Sequence, residues 1–252
     1  MKILLTNDDG IQSEGLGLLT ERLAALGHQV YVVAPSDQRS ATAHGAYFFQ
    51  RLYAHRVDSY HNATLAYAFT GTPADCVKFA ESVLKEPFDL LISGPNNGEN
   101  TGNAILYSGT VGAAEEGVLC GYKSIALSRL GRGGSFHSTV DFLVRNLTAL
   151  SQISIKDTLL NINVPDLPAS EIRGVRICKH SEEKLYNDYM EQQTDEENCW
   201  ISTGFRVDLT ETDTDVVVSE AGYVTITPLT VLRTNFDALP ALTRLEKDLK
   251  LK

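Results

Sequence analysis

At 252 residues, 43% apolar and 21% charged, the chain can bury one large α/β core with a modest appendage. Its 32 acidic residues against 22 basic ones give a net charge of −10, which excludes the electrostatic footprint of a nucleic-acid polymer binder. No window approaches the roughly 20 apolar residues of a membrane span, and the N-terminus lacks the charged and apolar regions of a signal peptide, so a cytoplasmic protein is expected.

The first apolar run predicts a strand over residues 3–6. A helix follows over 14–26, with Leu16, Leu19, Leu23 and Leu26 at spacings of three and four and Gly27 as its stop. A second strand over 30–34 completes a βαβ unit. The stretch 47–69 scatters Tyr, Phe, Val and Thr among polar residues and reads as antiparallel excursions from the sheet. Strands over 88–93, 124–128 and 159–164, with helices over 74–84, 111–119 and 138–150 between them, extend the pattern to a doubly wound, mostly parallel sheet of Rossmann-like type. Gly131-Arg132-Gly133-Gly134 reads as a flexible loop rather than a phosphate cradle.

After Pro165 the pattern changes. Residues 174–179 and 223–228 are strand-like, while 181–198 is polar and acid-rich without periodicity, either a long hairpin or an arm that packs on another subunit. The expected division is a catalytic core over 1–165 and, over 166–252, a β-rich C-terminal extension used for oligomerisation. Cys76, Cys120, Cys178 and Cys199 form no C-x-x-C pair and are expected to be free thiols.

Three loops that follow predicted parallel strands are rich in groups suited to hard cations or phosphate. They are Asn7-Asp8-Asp9-Gly10, the stretch 35–44 with Arg39, Ser40 and His44, and the stretch 94–100 with Asn96 and Asn100. Alone, Asn-Asp-Asp-Gly also reads as an ordinary Asx turn. In a doubly wound sheet, however, the three loops lie side by side, and two adjacent carboxylates there repel each other unless a cation or proton intervenes. Carboxylate, hydroxyl and amide oxygens suit Mg²⁺ or Mn²⁺. A fourth segment, Tyr107-Ser108-Gly109-Thr110-Val111-Gly112, leads into a helix whose free N–H groups can hold phosphate. His44 and Arg39 are open to two readings each: phosphate contact or general acid against loop ordering for His44, and phosphate against nearby acids for Arg39.

Rival signatures are missing: no G-x-x-x-x-G-K-[ST], no G-x-S-x-G, and no Asp-x-Asp at Asp8-Asp9. Gly15-Leu16-Gly17-Leu18-Leu19-Thr20 ends in Thr where the dinucleotide fingerprint needs Gly or Ala.

The chain resembles the SurE (survival protein E) family of metal-dependent nucleotidases. The resemblance rests on Ile3 through Ile11, on Val32-Val33-Ala34-Pro35 with Arg39-Ser40, on Gly71-Thr72-Pro73-Ala74-Asp75-Cys76-Val77, and on Ser93-Gly94 with Asn96 and Gly98. It continues through Tyr107 to Ala114, Asn161-Ile162-Asn163-Val164-Pro165, Asp213-Thr214-Asp215 and Gly222-Tyr223-Val224. Pro95 before Asn96 and Ala43-His44-Gly45 are the departures from the family's usual residues.

What the resemblance implies is one divalent ion, Mg²⁺ or Mn²⁺, held by Asp8, Asp9, Ser40 and Asn96. It also implies hydrolysis of nucleoside 5′- and 3′-monophosphates, with short polyphosphate as a further substrate, in a homodimer or homotetramer built through the C-terminal arm. On this reading the ion activates water, Asp8 or Asp9 orients it, and Ser108, Gly109 and Thr110 hold the phosphate, with Asn7, Arg39, His44 and Asn100 around them. The alternatives are a nucleotide-binding regulator without turnover and a phosphotransferase. Replacing Asp8 with Asn is expected to abolish release of phosphate from a nucleoside monophosphate with the fold intact; full turnover in that variant refutes the metal-centred mechanism.

Overall fold

The first strand, β1 (Lys2–Thr6), buries both of its faces, sending Ile3 and Leu5 into one core and Leu4 into another. The same two-residue period recurs along the sheet, so helices must cover both sides. The computed structural model describes residues 1–131, 133–183, 186–192, 199–206, 209–245 and 249. After β1 come α1 (Glu14–Ala25), β2 (Gln29–Pro35), β3 (Ala54–Arg56), β4 (Leu65–Phe69), α2 (Pro73–Phe79), β5 (Leu90–Asn97) and α3 (Gly109–Leu119). The chain continues through β6 (Ser124–Arg129), α4 (His137–Gln152), β7 (Thr158–Val164), β8 (Val175–Ile177), β9 (Tyr186–Gln192) and β10 (Cys199–Arg206) to α5 (Asp215–Glu220), β11 (Val224–Thr230) and α6 (Leu239–Leu245).

Nine strands form one sheet in the order β3-β4-β2-β1-β5-β6-β7-β11-β8. From β4 to β7 all neighbours run parallel. The fold is therefore the α/β, doubly wound, Rossmann-like one expected. Leu16, Leu19 and Leu23 of α1 and Val140, Leu143 and Leu147 of α4 fill one face, each fully buried leucine worth about 1.5–3 kcal/mol. Cys76 and Val77 of α2 and Val111, Ala113 and Ala114 of α3 fill the other.

Several expectations need adjusting. Within 47–69, β3 pairs antiparallel with β4, but β4 itself runs parallel to β2. The connection after β2 is long enough to bring the chain back to the starting edge of the sheet before β4 begins. The helix expected over 74–84 is α-helical only to Phe79, then becomes a π-helical turn, Ala80–Leu84, which Lys85 ends at φ 54°. The strand expected over 88–93 starts at Leu90 and runs on to Asn97 past a β-bulge. Ser93 faces Ala126 and Asn96 faces Ser128, so β5 carries one extra residue there. Gly94, at φ +120°, allows it, because a side chain there would strike the carbonyl of Leu127.

Beyond Pro165, β11 pairs antiparallel with β7 and β8 parallel with β11, so the C-terminal third adds two strands to the main sheet. β9 and β10 pair antiparallel as a separate two-stranded unit, the hairpin alternative for the polar segment, though residues 184–185 and 193–198 of that segment lie outside the described residues. Cys76, Cys120 and Cys178 are free thiols as expected, while the Cys199 side chain lies outside the described residues.

Asp215 ties this last third to the rest. It is fully buried, and its Oδ1 accepts the N–H groups of Ser181 at 3.0 Å and Val216 at 2.9 Å, while Oδ2 accepts that of Gly102 at 3.0 Å. Asp215→Ala strands three backbone donors and is expected to lower unfolding free energy by about 2–4 kcal/mol, read from urea titrations. A loss below about 0.5 kcal/mol would show that the three amides find other acceptors.

Candidate active site

β1 continues to β2 and β4 on one side of the sheet, whereas β5 leads to β6 and β7 on the other. The sheet's winding therefore reverses between β1 and β5, whose registers run from Ile3 opposite Leu90 to Thr6 opposite Ser93. At such a reversal the loops part and leave a crevice at the carboxyl edge. Here the crevice is a cleft of about 830 Å³ bordered by Asp8, Asp9, Ser40, Asn96, Asn100 and Ser108. All but Ser108 come from the three loops singled out by composition.

Asp8 is buried at the end of β1, and α3 begins against it. Thr110 donates its hydroxyl to Asp8 Oδ1 at 2.7 Å and its N–H to Oδ2 at 3.2 Å. Gly109 permits this approach, since a Cβ there would lie 2.7 Å from the Thr42 hydroxyl and 3.0 Å from Asp8 Cβ. Burial pushes the Asp8 carboxyl up to about 6, and the neighbouring Asp9 charge adds to the rise while the Thr110 bonds oppose it.

Asp9 is half-buried and is also shifted upward by burial, against the Asn97 N–H, which donates to its Oδ2 at 3.1 Å, and the charge of Arg129. Arg129 is almost wholly buried at the end of β6. Its Nη1 pairs with Asp166 at 3.0 Å, its Nη2 bonds Asn97 Oδ1, and its guanidinium lies 4.8 Å above the Phe136 ring. A buried cation thus steadies the strand segment that holds Asp9.

The remaining donors are neutral oxygens. Asn96 donates its Nδ2 to the Gly98 carbonyl at 2.9 Å, and its Oδ1 accepts no bond among the described residues. Ser40 accepts Gln38 Nε2 at 3.0 Å and keeps a lone pair. No group of three or more His, Cys, Asp and Glu gathers for a metal among the described residues. A cation here would instead rest on two carboxylates completed by hydroxyl and amide oxygens. Asp9 Oδ1 accepts no bond among the described residues, and neither carboxylate has a basic side chain in contact there. The donor set and the uncompensated charge both fit a hard divalent ion.

At the start of α3, Ser108 caps the helix by accepting the Val111 N–H at 3.1 Å, so its own hydroxyl hydrogen is free to turn outward. Thr110 spends both of its donors on Asp8, so that among the described residues the Gly109 N–H and the Ser108 hydroxyl are the donors left at this helix start.

The surrounding residues fall outside the cleft, apart from Asn100. Asn7 folds its own loop, accepting the Gly10 N–H at 3.2 Å and donating to the Gly10 carbonyl at 3.0 Å and the Ser13 hydroxyl at 2.6 Å. Arg39 donates to the Thr70 carbonyl at 3.2 Å. His44 is held by Glu115 and Glu116. Asn100, at the cleft floor, binds Ser128 Oγ at 2.8 Å, while Asn161 and Asn163 both donate to its carbonyl, at 2.7 and 3.0 Å. Sequence reasoning included Asn97 and Gln38 in its donor-rich loops without giving either a role, and it missed Arg129. Arg129 closes an apolar strand like any edge cation, and Asn97 acts through its backbone, which no side-chain pattern reports.

Comparison with known proteins bears on this arrangement. The family model described as Survival protein SurE matches residues 3–187. A protein of Thermosynechococcus vestitus named 5′-nucleotidase SurE is 40% identical over 241 residues, covering 91% of each chain. One of the same name from Petrotoga mobilis is 39% identical, covering 96% of this chain and 98% of the other. Among solved structures, the SurE protein of Aquifex aeolicus superposes with a TM-score of 0.85 at 32% identity, over 98% of this chain and all of that one. With a switch-point cleft built on Asp8 and Asp9 and relatives matched along nearly its whole length, this chain belongs to the SurE family.

Proposed function

We propose that the protein is a metal-dependent phosphomonoesterase that hydrolyses nucleoside 5′-monophosphates to nucleoside and phosphate. The observation that carries the reading is the joint of Asp8 with Thr110, which sets an unpaired carboxylate pair beside the free donors of a helix start. The names of the relatives, 5′-nucleotidases in each case, supply the substrate class. Asp8, Asp9, Ser40 and Asn96 would hold one Mg²⁺ or Mn²⁺, which when bound supplies Lewis-acid polarisation and an activated water. Ser108 and the Gly109 N–H bind phosphate oxygens, and the free Oδ1 of Asp9 accepts a hydrogen bond from the attacking water.

These donors grip the phosphate rather than the ribose, so the proposal extends to nucleoside 3′-monophosphates and to the end of a short polyphosphate. It also places the protein in the cytoplasm, where free thiols such as Cys76 and Cys120 persist. No helix among the described residues is long and apolar enough to cross a membrane. Residues 166–252 serve in the proposal as the arm of a homodimer or homotetramer. α6 supports this, since Leu239, Leu242 and Leu245 are all exposed and none of its residues is buried.

Phosphate release from AMP with added Mn²⁺ is expected, and a chelator is expected to stop it. Release that persists in excess chelator refutes the metal requirement, and no release with any divalent ion refutes the esterase. Asp8 adds a pH signature. Its carboxyl is raised above its unfolded value, so the folded protein without metal binds that proton more tightly than the unfolded chain does. The stabilisation is present in full below about pH 4 and is lost as pH rises through 6. Metal affinity is therefore expected to fall about tenfold per unit below pH 6. At pH 7.5, Asp8→Asn is expected to raise the stability of the metal-stripped protein by on the order of 2 kcal/mol while it abolishes turnover. A destabilised Asp8→Asn protein would contradict this balance.

A further inference from the structure

His44 stands four residues after Ser40 on the loop that leaves β2, yet it does not border the Asp8 cleft. Its ring is bonded at both nitrogens, Nδ1 lying 3.0 Å from Glu115 Oε2 and Nε2 2.8 Å from Glu116 Oε2. A ring that faces two carboxylates donates from both nitrogens and so carries a proton. Glu115 first and Glu116 next raise it to about 9 against partial burial. Arg233 lies 3.0 Å from Glu115 and Lys78 3.9 Å from Glu116, and His180 lines the same cavity as His44.

The loop needs such an anchor. Ala41 at φ 57° and Ala43 at φ 50° occupy the left-handed region, which residues with a side chain disfavour, so this shape is imposed from outside. Ala43 donates its N–H to the Tyr107 carbonyl at 3.1 Å, and the Thr72 hydroxyl donates to the Gly45 carbonyl at 2.6 Å. Gly112 lets α3 come close, since a Cβ there would strike the Ala43 carbonyl. His44 adds a charged tie to the same helix whose first turn grips Asp8 through Thr110.

We propose that His44 is a positioning residue that locks the Ser40 loop onto α3, so that Ser40 and Asp8 are held at a fixed spacing around the cation; this rests on the metal reading given above. The loop then contributes a preset oxygen instead of one that must be ordered when the ion binds. Partners of this kind, one step removed from the ligands, typically change metal affinity by about ten- to a hundredfold.

Titrating the full-length, metal-stripped protein with Mn²⁺ by calorimetry at pH 7.5 tests this. His44→Gln, and also His44→Ala, are expected to weaken Mn²⁺ binding at least tenfold, with kcat for AMP at saturating Mn²⁺ within about threefold of the parent. Glu116→Gln in the His44→Ala background is expected to add little. Because the tie loses its charge as the ring deprotonates, the gap between parent and His44→Gln, followed with Mg²⁺, is expected to narrow as pH rises through 9. Should alanine unfold the loop, glutamine, which keeps one hydrogen bond, carries the same test. Parent-like Mn²⁺ affinity in a folded His44→Gln protein overturns the proposal, as does unchanged affinity with a collapsed kcat, which would put His44 in the chemistry. A parent protein that binds no Mn²⁺ overturns the metal reading and this inference with it.

Discussion

A carboxylate buried at the end of a strand costs several kcal/mol unless its oxygens are bonded and its charge is met. Asp8 meets the first requirement through Thr110, whose hydroxyl and N–H take both of its oxygens. The charge is left over. The same two bonds pin the start of α3 to the end of β1, so the unmet charge sits beside the free donors of a helix N-terminus, and much of the local architecture follows from that joint. Gly109 and Gly112 are small because the helix must approach Asp8 and the Ser40 loop closely. The net charge of −10 has little bearing here, because the local carboxylates and a few fixed dipoles set the field within the cleft.

The opposite wall depends on the bulge in β5. One extra residue after Ser93 lets the strand resume its pairing at Asn96 and Asn97, which brings the Asn96 side chain to the cleft and the Asn97 N–H onto Asp9. Arg129 backs this wall and eases the charge on Asp9 without touching it. Beneath the cleft, Asn100 joins β6 and β7 through Ser128, Asn161 and Asn163, and Asp215 fastens the turn at Gly102 to the C-terminal third. Residues far along the chain thus bear on a cleft whose carboxylates lie at the end of its first strand.

Local pattern carried most of the fold. Leu16, Leu19 and Leu23 announce the buried stripe of α1, and Gly27 at φ +80° its stop, because helical spacing and a left-handed terminus are properties of a short segment. The parallel strands were legible in the same way, as apolar runs separated by helical stretches. The direction of β4 and the continuation of β5 through its bulge were not, since both depend on which strand lies alongside.

The site divides along the same line. Asn7-Asp8-Asp9-Gly10 and the loops carrying Ser40 and Asn96 stand out in the sequence by chemistry alone, because hard-oxygen donors crowd at the ends of predicted parallel strands. Which donors are free and which are already spent was decided by the tertiary structure. Thr110 bonds both oxygens of Asp8, and the His44 ring lies between Glu115 and Glu116 of α3, two pairings that no local pattern reports. Arg129 entered without any signal in the sequence. A residue type fixes what a side chain can donate or accept; only the packing of distant segments determines who receives it.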